Sequence, residues 1–214
     1  MSPDADARLK LEKNVETVSD MAVADTMEMI AYHLLSVSRS LDMASVDDFA
    51  RMLNDGNRIF VMGAGRSGLV AKSFAMRLMH IGYQVYVVGE IVTPAVTAGD
   101  VVVAISGSGN TRTISEFGEI CKKLDVKLIT VTSNKDSVLG HISDLLIIID
   151  SNSRLDHNKE YMERQLSGNH KSTTPMGTVF ELTAAVFLDS FISKLMVVKG
   201  VDEAALKKRH TVLE

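Results

Sequence analysis

Five short apolar runs, separated by helical patterns and closed by small or polar residues, predict an α/β domain: a three-layer α-β-α arrangement around a five-stranded parallel sheet. Three observations carry this. The runs are rich in β-branched residues and lack polar alternation, as expected of strands buried on both faces of a parallel sheet. The stretches between them carry the three- and four-residue spacing of amphipathic helices. Two of the runs end in loops rich in glycine or serine that lead directly into a helix.

In chain order, Ala5 to about Leu41 is helical, with Leu34, Leu35, Val37, Ser38 and Leu41 marking one face. We read residues 1–40 as an N-terminal helical segment packing on the same domain that residues 41–214 form. Arg58–Met62 stops at Gly63 and is the first strand. Leu69–His80 follows as a helix, with Val70, Phe74 and Leu78 on one side. Gln84–Val88 stops at Gly89, and Val101–Ile105 stops at Ser106-Gly107. Thr113–Leu124 is helical through Ile114, Phe117 and Cys121. Lys127–Thr132 stops at Ser133-Asn134, and Leu145–Ile149 stops at Asp150. Residues 151–175 are polar, and an apolar helix runs from about Gly177 to Val198.

Composition narrows the function classes. The 214 residues carry 23 Lys+Arg against 27 Asp+Glu, a formal net charge of −4 without a basic block. That argues against a nucleic-acid binder, whose affinity rests on neutralised phosphates. A lone cysteine, Cys121, makes neither an internal disulfide nor a cysteine-rich metal site. The opening residues show no basic and apolar leader pattern. Leu182–Val198 is interrupted by Asp189 and Lys194 and reads as a buried helix, so no membrane partner is expected. His33, His141, His157 and His170 have no ligand spacing, so no metal is expected.

Two loops carry the chemistry. Gly63-Ala64-Gly65-Arg66-Ser67-Gly68 follows the first strand and opens a helix, matching the dinucleotide pattern G-x-G-x-x-G, with Glu90 where a ribose-binding acid would stand. Alone it equally suits a turn that lets a helix pack close to the sheet. Ser106-Gly107-Ser108-Gly109-Asn110-Thr111 follows the third strand. Its hydroxyls and helix-start amides suit a phosphate, although Ser108 or Thr111 as a plain helix cap is the bland alternative. In strand order 2-1-3-4-5 the first and third strands are neighbours at the topological switch point, so the loops face one crevice. One small anionic ligand held by both is more economical than a dinucleotide on the first.

The acid–base candidates each have a structural alternative. Glu181 opens the long apolar helix, where Thr178-x-x-Glu181 also reads as a capping box. His80 ends a helix, where a histidine often just complements the dipole. His210 sits in the basic stretch Lys207-Lys208-Arg209-His210.

Together these segments resemble the sugar isomerase (SIS) family, and within it the 6-phospho-3-hexuloisomerases. The resemblance covers residues 20–214 and rests on Gly63–Gly68, Ala71–His80, Ser106–Thr111, Met176-Gly177-Thr178-Val179-Phe180-Glu181 and the ending Arg209–Glu214. It implies the SIS fold with flavodoxin-like strand order, assembly as a homotetramer in the cytoplasm, and interconversion of D-arabino-hex-3-ulose 6-phosphate and fructose 6-phosphate without a cofactor, in formaldehyde fixation or its reverse. Glu181 would move the proton, and His80 or His210 would open the product ring. Gly65, Arg66, Ser67, Ser106, Ser108, Thr111, Gly177 and Thr178 would hold the phosphorylated ketohexose. Another sugar-phosphate isomerase, a sugar-phosphate sensor and a nicotinamide oxidoreductase on Gly63–Gly68 are the competing readings.

Overall fold

The computed structural model describes residues 23–151 and 177–209. The chain divides into two compact units, one holding residues up to Arg39 together with Ser153–Val179, the other holding Ser40–Asn152 and Phe180 onward. In the first, residues 23–39 are helical and continue to residue 40 as helix α1, with His33 and Val37 buried and Leu35 exposed. Of the face that the periodicity picks out, Val37 is buried, Leu34 and Leu41 are half-buried, and Leu35 and Ser38 are exposed. The part of that helical reading before residue 23, and the polar stretch up to residue 176, lie outside the described residues.

The second unit contains the sheet. Helix α2 (Met43–Asp55) opens it, capped by the Asp42 carboxylate, which accepts from the Ala44 amide at 3.0 Å. Its buried residues, Val46, Phe49, Ala50 and Leu53, fall at helical spacing. Then come β1 (Ile59–Gly63), α3 (Arg66–His80), β2 (Val85–Val87), β3 (Val101–Ile105), α4 (Arg112–Lys123), β4 (Lys127–Thr132), α5 (Val138–Ile142) and β5 (Leu145–Ile148). Helix α6 (Thr178–Lys199) and the short α7 (Glu203–Arg209) finish the described chain. The sheet is five-stranded in the order β2-β1-β3-β4-β5 with parallel pairing throughout. Ile59 stands opposite both Val85 and Val101, Val101 opposite Lys127, and Ile129 opposite Leu145. This is the expected α/β class and strand order.

Alternation along the strands divides the core. Phe60, Met62, Val102, Ala104 and Leu128 form one cluster with Ile114 and Cys121 of α4 and Leu139 of α5. An aromatic group joins the other helices: Phe49 of α2 stacks on Phe191 of α6 at 4.2 Å between ring centres, and Phe74 of α3 tilts against both. At the N-terminal end of the sheet, Arg58 just before β1 clasps Asp100 just before β3, with Nη2–Oδ2 at 2.6 Å and Nε–Oδ1 at 3.0 Å. The same carboxylate accepts from the amide and hydroxyl of Thr97, while Arg58 also donates to the Ala95 carbonyl. The fully buried Asp100 thereby fixes the long β2–β3 connection to the sheet.

Candidate functional site

The site forms where β1 and β3, neighbours at the switch point, each end in a loop that starts a helix. In the first loop, the strand and helix approach so closely that a Cβ on Gly63 would lie 2.7 Å from the Ser67 carbonyl oxygen. One on Gly68 would lie 2.8 Å from that of Gly63. Gly65 turns the chain at φ 56°, ψ −128°, a conformation nearly closed to residues with side chains, and it faces open space. Because the turn is completed at Gly65, α3 begins at Arg66, three residues before the start read from apolar spacing. Arg66 stands half-exposed at the helix start, with Ser67 buried beside it. Glu90 pairs with Lys72 at 2.6 Å. The acid that a dinucleotide ribose would need is thus held by a lysine of α3.

The second loop is arranged differently from a helix cap. Thr111 occupies the cap position of α4, but its side chain makes no cap bond; its hydroxyl lies 3.3 Å from that of the buried Ser106. The exposed Ser108 hydroxyl accepts from the Asn110 amide at 3.2 Å. The loop's carbonyls are occupied. Ser106 O accepts from Gly109 N, Ser108 O from Asn134 Nδ2, and Gly109 O from Leu139 N. The amides of Gly107, Ser108 and Thr111 donate to no group among the described residues. A helix start with free N–H groups and hydroxyls, its carbonyls turned away, is an anion-binding geometry without a full positive charge.

Helix α6 supplies the third wall. A Cβ on Gly107 would lie 2.9 Å from the Phe180 ring, so the serine loop lies directly on the residue before Glu181. The Glu181 carboxylate is 15% exposed and its Oε2 lies 3.4 Å from Arg66 Nε, without a hydrogen-bond partner among the described residues. Thus the first loop meets Glu181 and the second meets Phe180. The capping-box reading of this helix start fails. Thr178 is the first helical residue rather than the cap, and its buried hydroxyl has no hydrogen-bond partner among the described residues. Gly177, at φ 85°, precedes it; both belong to the first unit.

The structure does not bring His80 to this group. It is buried at the far end of α3, fourteen residues from Arg66, roughly 21 Å along the helix at 1.5 Å per residue. Its carbonyl accepts from the Arg209 guanidinium. His210 lies outside the described residues. Among the described residues no three His, Cys, Asp or Glu are grouped to hold a metal, and no helix is long and apolar enough to cross a membrane. The sequence assigns no site role to Phe180 or to Thr132-Ser133-Asn134, although the polar residues that close β4 are a signal for the latter.

Residues 52–185 match the SIS domain family, and the chain belongs to it. Among its relatives are an uncharacterized protein of Archaeoglobus fulgidus, 40% identical over 188 residues (88% of this chain, 98% of that one), and the 3-hexulose-6-phosphate isomerase of Bacillus subtilis, 39% identical over 168 residues (78% and 86%). A crystal structure from Methanococcus jannaschii, for which a molecular function of 3-hexulose-6-phosphate isomerase has been inferred, superposes with a TM-score of 0.74. It is 29% identical, covering 89% of this chain and 99% of the other.

Proposed function

We propose that this chain is a sugar-phosphate isomerase that interconverts D-arabino-hex-3-ulose 6-phosphate and fructose 6-phosphate, a 6-phospho-3-hexuloisomerase. The observation that carries the reading is the Arg66–Glu181 pair: a buried carboxylate oxygen beside a guanidinium, next to a loop whose amides suit a phosphate, with neither the oxygen nor those amides hydrogen-bonded among the described residues. Supporting it is the name of the Bacillus subtilis relative.

Moving the ketone from C3 to C2 needs the C2 proton removed, an enediol formed, and a proton returned to C3. One carboxylate on one face of the sugar serves both transfers, and Glu181 is that group. Arg66 stabilises the enediolate charge, together with the amides of the Gly65–Ser67 turn. Ser67, Ser106, Ser108 and Thr111 hold the phosphate and so fix the distance to the reacting carbons. Gly177 and Thr178 lead into the helix that carries Glu181. The reaction is redox-neutral overall and calls for no cofactor. Phosphate on O6 blocks the usual five-membered ring of the 3-ulose, so ring opening matters chiefly from the fructose 6-phosphate side. His210 would then act from a neighbouring copy in a homotetramer, since His80 is buried at the end of α3 far from its own Glu181.

A panel of sugar phosphates tests the substrate class. Fructose 6-phosphate and the hexulose 6-phosphate should interconvert while arabinose 5-phosphate and glucose 6-phosphate stay unchanged. Turnover of an aldose phosphate in place of the ketose pair would overturn the assignment.

A further inference from the structure

Four consecutive carbonyls of the serine loop already hold donors, and the best-held of them is Gly107. Its oxygen accepts from Thr132 Oγ1 at 3.1 Å, Ser133 Oγ at 2.8 Å and the Ser133 amide at 3.1 Å. A carbonyl oxygen has two lone pairs, so three donors saturate it. In a trans peptide the carbonyl and the next N–H point in opposite directions. Fastening Gly107 C=O toward the end of β4 therefore aims the Ser108 N–H the opposite way, and that amide donates to nothing among the described residues. The neighbouring peptide is held in the same manner, with Ser108 O on Asn134 Nδ2 at 3.3 Å. The loop is also pressed against this segment: a Cβ on Gly109 would lie 3.2 Å from Thr132 Oγ1 and would run into Ser137. Phe180 also packs against Gly107.

We propose that Thr132 and Ser133 are positioning residues for anion binding: by holding the Gly107 carbonyl from behind, they present the Ser108 amide to the phosphate without touching it. This rests on the sugar-phosphate reading above and extends it to residues behind the loop. Charge drawn out of the Gly107 carbonyl also makes the Ser108 N–H a better donor, because hydrogen bonds in a chain polarise one another.

The test is the affinity of the full-length protein for inorganic phosphate and for fructose 6-phosphate, by isothermal titration, in wild type, Ser133→Ala and Ser133→Thr. Ser133→Ala keeps the Ser133 amide bond and removes one of the three donors. The Kd for both ligands should rise about tenfold, with KM rising in parallel and kcat held within about twofold. Ser133→Thr retains a hydroxyl and should restore most of the affinity. A thermal melt of each variant shows whether it is folded. Should Ser133→Ala unfold, Thr132→Ser, which keeps the hydroxyl, and Thr132→Val, which removes it, repeat the comparison. A lower melting temperature with unchanged phosphate affinity would make these residues merely structural and overturn the proposal. Wild-type protein that binds neither ligand would overturn the sugar-phosphate reading itself.

Discussion

Replacing Gly107 by alanine probes the contact that joins the serine loop to the helix of Glu181. The new Cβ would stand 2.9 Å from Phe180 Cδ1, 3.0 Å from Cγ and 3.3 Å from Cε1. Carbon atoms in good contact are about 3.5–4.0 Å apart, so the ring and the loop must separate by roughly 0.6 Å or more. Phe180 is 4% exposed and has no route into solvent. Overpacking of this kind costs about 1–3 kcal/mol. For a chain of this size that lowers Tm by roughly 2–4 °C per kcal/mol. The displacement falls next to Glu181, and a shift of about 1 Å at reacting groups can cost on the order of a hundredfold in rate. Gly107→Ala should therefore lose much more activity than stability, read as kcat/KM for fructose 6-phosphate alongside a thermal melt. Combining it with Phe180→Leu, which removes ring atoms at the clash, should recover stability relative to the sum of the two single changes. A Gly107→Ala protein as stable and as active as wild type would refute the packing argument.

Three further outcomes are expected. Gly65→Ala meets no neighbour within 4 Å among the described residues, so its cost is the backbone conformation alone, about 1–3 kcal/mol by thermal or denaturant unfolding, and no second substitution should relieve it. Asp100→Ala leaves Arg58 without its carboxylate and should destabilise by about 3 kcal/mol, the lower end for a broken buried pair, since the guanidinium reaches solvent. Burial alone would raise the Asp100 carboxyl, but the Arg58 guanidinium and the amide and hydroxyl of Thr97 outweigh it and hold its pKa below the usual value. A depressed folded-state pKa stabilises the protein above the unfolded-state value near ~3.9 and ceases to do so as pH falls through the folded value. Unfolding midpoints measured from pH 6 downward should show this acid loss in wild type and a smaller one in Asp100→Ala.

The sheet was legible because burial on both faces leaves an uninterrupted signature. All five residues of Val101–Ile105 are buried, and the strand has the limits that its apolar run suggests. The neighbouring loops bounded the other strands to within a residue or so. Helix α2 went unread although Val46, Phe49, Ala50 and Leu53 have helical spacing and Asp42 is a good cap; its apolar positions are diluted by charge. The five-residue α5 is too short to display a period. At the site, the loops could be placed at one crevice from strand order alone, but the state of each polar atom could not. The same Thr178-x-x-Glu181 spacing serves a cap or a carboxylate turned elsewhere. Only coordinates show the Thr178 hydroxyl without a partner and Glu181 beside Arg66. His80 illustrates the converse: a residue within a shared motif that the rise of its own helix removes from the crevice.

The most direct measurement is proton NMR of fructose 6-phosphate with the protein in D2O, following exchange at C3 and the appearance of a second ketose. An enediol between C2 and C3 must labilise the C3 proton whichever way the equilibrium lies. The account predicts exchange at C3 in wild type. In Glu181→Gln it should fall by at least about a hundredfold, the lower range for removal of a general base, while the ligand still binds. Exchange at C1 alone, or C3 exchange undiminished in Glu181→Gln, would contradict it.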